Sequence, residues 1–425
     1  MINEKKETID MRIIKYTGIL FFLLAGSAYG FTCPTPPPGA GTPDAARCNN
    51  AEFQSCGITV NGIDRHFCIH VPSDGPAAIK QNMPVVFAFH GGGGDASVQT
   101  AIWDKHTEQG MVIVSPSALV SNQRGECKPA WRHIGQSAPT WADLAAADTC
   151  GTPTGPAIPP KYTGLPYQSG GNWSDDLNFV QQMVAAINAD PQISPTGYFA
   201  TGFSNGAGMV YQLFITQGSA DTFDGFATVS NIMNQAKIDA QAAAGGGAGF
   251  SPNTATKKPF MFIMGTNDKV NSPTMSILQS TEPGQPCNGL ATTLDVIQCW
   301  RSIPTYGPGS GKHTMLTPRS ITTRWLVNHN NSLRRDIESL YPDLGHGDAP
   351  PGESDQTIVV RQDFIKKPRS DDSAPVAVLT IIDGEHNWPG SRGGYPPCGG
   401  NCDIEATEVI LQFWRANAGF VSRWK

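Results

Sequence analysis

The chain has 425 residues, of which 39% are hydrophobic and 16% are charged, and its formal net charge is −6. An average domain has about 25% charged residues, so the composition excludes a long coiled coil and a charge-rich disordered protein. A nucleic-acid partner is not expected, because proteins that bind nucleic acid normally carry a basic field. The 46 glycines and 34 prolines predict long loops around a globular core.

Residues 1–30 have the pattern of an export signal. Lys15 precedes the apolar segment 19–25, and small residues follow it, as in a secretory signal peptide. This segment is too short to span a bilayer, which needs about 20 apolar residues, and no later segment is a candidate span. Residues 1–10 are rich in Glu and Lys and do not fit a signal, so the expected start is Met11. We expect a protein that is secreted to the extracellular space or the periplasm.

An even number of cysteines behind an export signal favours disulfide bonds. The ten cysteines form sequence-neighbour pairs beside Gly- and Pro-rich stretches: Cys33 and Cys48, Cys56 and Cys68, Cys127 and Cys150, Cys287 and Cys299, Cys398 and Cys402. Local pairing would stabilise loops by about 2–4 kcal/mol per bridge, although the sequence alone does not fix the connectivity. The sequence contains no CxxC motif, so a metal site is the weaker interpretation and no metal is expected.

After an irregular Pro-rich leader at 31–56, residues 57–425 are predicted to form one domain of alternating strands and helices, as in βαβ units. The predicted strands are 57–60, 63–71, 84–89, 111–114, 197–201, 226–229, 259–264 and 376–382. The predicted helices are 174–188, 205–217 and 403–416. Asn61-Gly62 predicts a type I′ hairpin between the first two strands. The continuous apolar runs predict a mostly parallel sheet that is buried on both faces.

Two loop-rich inserts interrupt this alternation, at about 119–172 and 271–350. Both are rich in Gly, Pro, Asn and Trp. Loops of this length in a compact domain usually carry function, so the inserts are expected near the site.

One segment, Gly202-Phe203-Ser204-Asn205-Gly206, matches the G-x-S-x-G motif. A predicted strand ends directly before it and a predicted helix begins within it, which is the strand–turn–helix context of a nucleophile elbow. The two glycines allow a tight turn that exposes the serine hydroxyl. The alternative is an ordinary strand–helix turn with a capping serine.

A serine hydroxyl needs a base to become a nucleophile, and a carboxylate to orient that base. In a fold with this elbow the three residues follow in the order Ser, Asp or Glu, His. Asp268 and His386 each come directly after a predicted strand, at the sheet edge where α/β proteins place their sites. Asp383 is an alternative acid and His346 an alternative base.

A histidine and four glycines, residues 90–94, follow an apolar strand, which is the position of an HGGG-type oxyanion loop. We expect N–H donors from Gly92 or Gly93 together with the N–H of Asn205. One such donor contributes about 3–4 kcal/mol of transition-state stabilisation. A phosphate-binding loop is the weaker interpretation, because no G-K-[ST] follows and Asp95 would repel a phosphate.

Together these motifs resemble those of secreted α/β-hydrolase esterases, the family that groups polyhydroxybutyrate depolymerases with feruloyl esterases. The resemblance covers most of residues 57–418. Its motifs are Phe89–Gly94, Asp176 with Phe179, Thr201–Gly206, Gly265–Asp268, His386–Gly390 and Ala406–Glu408. It implies an α/β-hydrolase fold, a mostly parallel central sheet flanked by helices, and no cofactor. It also implies Ser204 as nucleophile, Asp268 as acid and His386 as base.

The sequence departs from the family pattern at Glu385 and Asn387, which flank the expected base, and at Ala207, which follows the G-x-S-x-G motif. The resemblance implies a polyhydroxyalkanoate polyester as the leading substrate, and a feruloyl or acetylxylan-type ester of plant polysaccharide as the alternative. Trp388 is expected to form an apolar substrate wall, with core packing as the alternative. The motifs are also compatible with an inactive binding protein on a hydrolase scaffold and with a peptidase.

Overall fold

The structure is a computed structural model. It describes residues 31–35, 48, 51–72, 81–123, 125–134, 150–162, 176–233, 238–239, 253–265, 268, 270, 318–340, 358–368, 370–382, 384–390 and 404–420. The predicted export signal, Asp383, His346 and the four cysteines Cys287, Cys299, Cys398 and Cys402 lie outside the described residues, as does much of each predicted insert.

A ten-stranded sheet forms the centre of the described structure. In chain order its strands are β1 (Gln54–Val60), β2 (Ile63–His70), β3 (Gln81–Phe89), β4 (Val112–Pro116), β7 (Ile193–Phe203), β8 (Gly225–Val229), β9 (Phe260–Gly265), β10 (Leu333–Leu340), β11 (Ile358–Ile365) and β12 (Val376–Ile382). A separate hairpin consists of β5 (Val120–Gln123) and β6 (Glu126–Pro129).

The order across the sheet is β1-β2-β4-β3-β7-β8-β9-β12-β11-β10. The six strands from β4 to β12 in this order are mutually parallel. On each side of them two further strands follow, and each of these pairs antiparallel with its neighbour. An antiparallel edge hairpin, a crossover through β4 and β3, and a strand–turn–helix after the central β7 are the arrangement of the α/β-hydrolase fold. The predicted fold class is confirmed.

Helices cover both faces of this sheet. They are α1 (Ala96–Trp103), α2 (Asp176–Ala189), α3 (Asn205–Ile215), α4 (Ser219–Thr222), α5 (Pro318–His329) and α6 (Ala406–Asn417). Along β3, Phe87 and Phe89 belong to one core cluster while Val86 and Ala88 belong to the other, so the strand is buried on both faces. Among the described residues, no helix is both long enough and apolar enough to cross a membrane.

The predicted hairpin at the start of the sheet is confirmed. Val60 pairs with Ile63, and Asn61 and Gly62 have φ values of 51° and 80°, as a type I′ turn requires. The leader is less irregular than predicted, because β1 begins at Gln54 and not at Gly57.

The second predicted insert is only partly a loop, because α5 and β10 lie within it. With β11, which the sequence did not predict either, β10 extends the sheet by two antiparallel strands. Its segment Leu333–Leu340 contains four charged residues and no apolar run. An edge strand needs only one paired backbone edge, so it forms without the apolar pattern that marks central strands.

Three disulfides are present among the described residues, Cys33–Cys56, Cys48–Cys68 and Cys127–Cys150. Neighbour pairing is therefore wrong for the first four cysteines. Cys56 lies opposite Phe67 in the β1–β2 ladder and Cys68 lies opposite Ser55, so the two cysteines face opposite sides of the sheet. Each pairs with a leader cysteine on its own face. Cys48 and Cys68 also lie near His66 at metal-ligand spacing, but their sulfurs are joined to each other.

Candidate active site

Ser204 occupies the sharp turn between β7 and α3. Its φ of 52° and ψ of −116° are strained for a residue with a side chain. The glycines on either side are required for space. A Cβ on Gly202 would lie 2.5 Å from the Gly206 backbone, and one on Gly206 would lie 2.2 Å from the Phe89 carbonyl oxygen. The serine is thus held on a turn that only glycine neighbours permit.

The three residues predicted to act together are adjacent in the structure. Ser204 Oγ lies 2.8 Å from His386 Nε2, and His386 Nδ1 lies 2.8 Å from Asp268 Oδ2. Asp268 follows β9 and its side chain is fully buried, whereas the His386 side chain after β12 is 18% exposed. The second Asp268 oxygen accepts the N–H of Val270. The carboxylate holds the proton on Nδ1, so Nε2 accepts the serine hydroxyl hydrogen bond.

Two residues that the sequence analysis did not identify donate hydrogen bonds to the backbone next to these three side chains. Ser230 directly follows β8 with a φ of 55°, and its hydroxyl donates to the Asn387 carbonyl at 3.1 Å. The Asn231 amide donates to the Ser204 carbonyl at 2.5 Å. The signal for both was their position after a predicted strand, at the edge where the neighbouring strands deliver Asp268 and His386.

The glycine-rich loop after β3 packs against Ser204. A Cβ on Gly91 would lie 3.4 Å from the Ser204 Cβ, and one on Gly92 would lie 3.6 Å from the Asn205 Cβ. Asn205 is the first residue of α3, so its N–H has no intrahelical acceptor. Within the described part of the chain, the Gly92 N–H also donates no hydrogen bond. Neither of these two N–H groups therefore has an acceptor among the described residues.

Gly93 differs from the prediction. Its N–H donates to the Pro129 carbonyl at 2.7 Å, so it is not available as an oxyanion donor. His90 anchors the same loop, because its Nδ1 donates to the Gly91 carbonyl and its Nε2 accepts the Ala118 N–H at 3.0 Å. Burial lowers the pKa of His90, which keeps the ring neutral and Nε2 able to accept.

Trp388 does not form an exposed substrate wall. It is 4% exposed and belongs to the core cluster that contains α6. The loop after His386 folds onto the start of α6, where the Ala406 N–H donates to the Pro389 carbonyl and a Cβ on Gly390 would collide with Glu405. That path turns the indole inward, so its expected role as a substrate contact is wrong and core packing describes it.

No protein-family model and no curated protein matches the sequence. Among solved structures, the chain is similar to a thermostable esterase at 14% identity and a TM-score of 0.30, over 52% of this chain and 48% of the esterase. It thus spans about half of that esterase. An S-formylglutathione hydrolase from Agrobacterium tumefaciens is 15% identical with a TM-score of 0.31, over 51% of this chain and 75% of that one. A siderophore hydrolase from Aspergillus nidulans is 14% identical with a TM-score of 0.31, over 55% of this chain and 74% of that one.

Proposed function

We propose that the chain is a secreted serine carboxylester hydrolase. The observation that carries this proposal is the hydrogen-bonded series from Ser204 through His386 to the buried Asp268, with both links at 2.8 Å. In the proposed mechanism Ser204 Oγ attacks the ester carbonyl while His386 Nε2 takes its proton. His386 then gives that proton to the leaving alcohol, and Asp268 stabilises the imidazolium in between.

The attack creates a tetrahedral intermediate whose oxygen carries a negative charge. The N–H groups of Gly92 and Asn205 are the proposed donors to this oxygen, since the residues lie against each other beside Ser204. Water activated by His386 then hydrolyses the acyl-enzyme, and the same two donors act a second time.

The substrate class and the compartment rest on the sequence. The resemblance to polyhydroxybutyrate depolymerases and feruloyl esterases favours a polyhydroxyalkanoate-type polyester. Secretion is supported by the signal-like residues 1–30 and by the disulfides of the folded domain, since disulfides persist in oxidising compartments.

Hydrolysis of p-nitrophenyl butyrate by the purified, oxidised protein tests the mechanism. Ser204→Ala should lower kcat by about 10⁵- to 10⁶-fold, as in comparable serine enzymes. Ser219→Ala is the matched control, because Ser219 is also buried but lies beyond the far end of α3. A fluorophosphonate should label the wild type and the control at Ser204 and leave Ser204→Ala unlabelled. Wild-type turnover by Ser204→Ala would refute the mechanism.

A substrate panel tests the proposed class of ester. The wild type should clear a suspension of polyhydroxybutyrate, and Ser204→Ala should not. Release of ferulate from a feruloylated sugar, or of acetate from acetylxylan, without clearing of the polyester would transfer the assignment to polysaccharide esters. Cleavage of peptide amides but not of esters would refute the ester-hydrolase assignment.

A further inference from the structure

Residues 129–134 begin at the last residue of β6 and contact the start of α3 and the glycine-rich loop; we name this segment the strap. We propose that Asn205 is a positioning residue. Its side-chain amide holds the strap in place, and the strap sets the spacing of the two proposed oxyanion donors. This inference deepens the proposed hydrolase function and rests on it. Here the Asn205 side chain acts separately from its backbone N–H, which is itself a proposed donor.

The Asn205 amide is fully engaged with the strap. Its Oδ1 accepts the Trp131 N–H at 2.6 Å, and its Nδ2 donates to the Trp131 carbonyl at 3.2 Å and to His133 Nε2 at 3.1 Å. Asn205 is 4% exposed, and Trp131 and His133 are both fully buried. Hydrogen bonds in such a dry environment hold their geometry well, because water does not compete for the partners.

The strap also holds the glycine-rich loop on both sides of Gly92. The Gly93 N–H donates to the Pro129 carbonyl at 2.7 Å, and the indole N–H of Trp131 donates to the His90 carbonyl at 3.0 Å. The indole ring packs edge-on against Phe89, with the ring centroids 5.1 Å apart. One segment therefore fixes the loop that carries the first donor and the residue that carries the second.

The far end of the strap is fixed as well. The Arg132 N–H donates to Asp176 Oδ2 at 2.9 Å, and the Ile134 N–H donates to Gln212 Oε1 at 3.1 Å. The His133 ring fits against α3 only because residue 208 is glycine, where a Cβ would lie 2.2 Å from its Nε2. The strap thus has little freedom to move without Asn205 moving.

This geometry matters for the reaction because an oxyanion hole works through donors that are in place before charge develops. A shift of about 1 Å in a positioned group can cost about 100-fold in rate. Loss of the Asn205 amide should therefore lower kcat by about 10- to 100-fold while KM changes by less than about 3-fold. The Asn205→Ala variant keeps the backbone N–H, so only the side-chain amide is removed.

The experiment compares Asn205→Ala with the wild type on p-nitrophenyl butyrate, together with the affinity for an alkyl trifluoromethyl ketone. This ketone forms a tetrahedral adduct with the serine, so its affinity reports the oxyanion hole. Asn253→Ala is the matched control, because Asn253 is 1% exposed and holds backbone groups at the other end of α3. We expect Asn205→Ala to lose kcat and ketone affinity by the same factor. Asn253→Ala should keep both, even where its melting temperature falls.

Trp131→Phe is the second variant, for the case that Asn205→Ala does not fold. It keeps a buried aromatic ring and the backbone groups that bond to Asn205, but removes part of the ring volume and the indole N–H that donates to His90; a smaller loss of kcat, about 3- to 10-fold, is expected. Unchanged kcat in both folded variants, or an equal loss in Asn253→Ala, would overturn the positioning role. If the wild type hydrolyses no ester and reacts with no fluorophosphonate, the proposed function and this inference both fail. If the wild type is active and the variants keep its kcat, only this inference fails.

Discussion

A buried ion pair links β2, α2 and the strap. Arg65 Nη2 lies 2.7 Å from Asp176 Oδ1, and the two side chains are 0% and 4% exposed. The guanidinium lies 4.2 Å over the Phe179 ring, and the other Asp176 oxygen accepts the Arg132 N–H. Replacing Arg65 by Met keeps an unbranched apolar chain of similar length. It leaves the carboxylate buried without its cation.

Removal of one partner from such a pair costs about 3–5 kcal/mol, because the remaining charge stays out of water. We expect Arg65→Met to lower the free energy of unfolding by that amount in urea. Lys258→Met is the matched control, since the Lys258–Asp224 pair has side chains that are 22% and 42% exposed. Exposed pairs contribute about 1 kcal/mol or less. A loss in Arg65→Met no larger than in Lys258→Met would refute the reasoning.

The double variant Arg65→Met/Asp176→Leu separates the buried charge from the hydrogen bonds. It removes both charges, so it should lose less stability than the sum of the two single variants. It should not return to the wild-type value, because the Arg132 N–H and the Ser117 carbonyl lose their partners as well.

Two further outcomes are expected. Burial, with the nearby charge of Lys257, lowers the pKa of His329 from 6.5 to about 4. As the pH falls from about 6.5 to 4 the unfolded chain therefore takes up the proton first, and stability falls by up to about 3 kcal/mol. Urea unfolding at several pH values should show a steeper fall of stability in the wild type than in His329→Phe, where buried His90 with its lowered pKa still contributes; equal slopes would contradict it. Ser230→Ala should lower kcat about 3- to 10-fold at nearly constant KM, because the Asn387 carbonyl beside the base loses a hydrogen bond. Wild-type kcat in that variant would show that the bond does not position the base.

The parts of this structure that the sequence predicts well are those with a local signature. The central strands are continuous apolar runs, since a strand covered on both faces needs no alternation. The elbow is recognisable because the strand end, the motif and the helix start are contiguous around Ser204. Asp268 and His386 are distant in sequence, but each follows a strand, and parallel strands deliver their carboxyl ends to one edge.

The parts that the sequence does not predict depend on contacts between residues that are far apart. Nothing near Gly93 shows that a carbonyl 36 residues later will take its N–H. Trp388 follows the base at a spacing that suggests a substrate contact, yet the path of the loop onto α6 decides where the indole goes. The sequence does not reveal the strap for the same reason. The side chains that accept its backbone N–H groups are more than 40 residues away along the chain.

Three glycines of the elbow region show how the site keeps its internal geometry. A Cβ on Gly202 would collide with the backbone of Gly206, and one on Gly206 would collide with the carbonyls of Phe89 and His90. Gly208 lies against His133 of the strap. The first turn of α3 is therefore in direct contact with the strand before the oxyanion loop and with the strap. These close contacts leave little room for the first turn of α3 to shift without the glycine-rich loop and the strap.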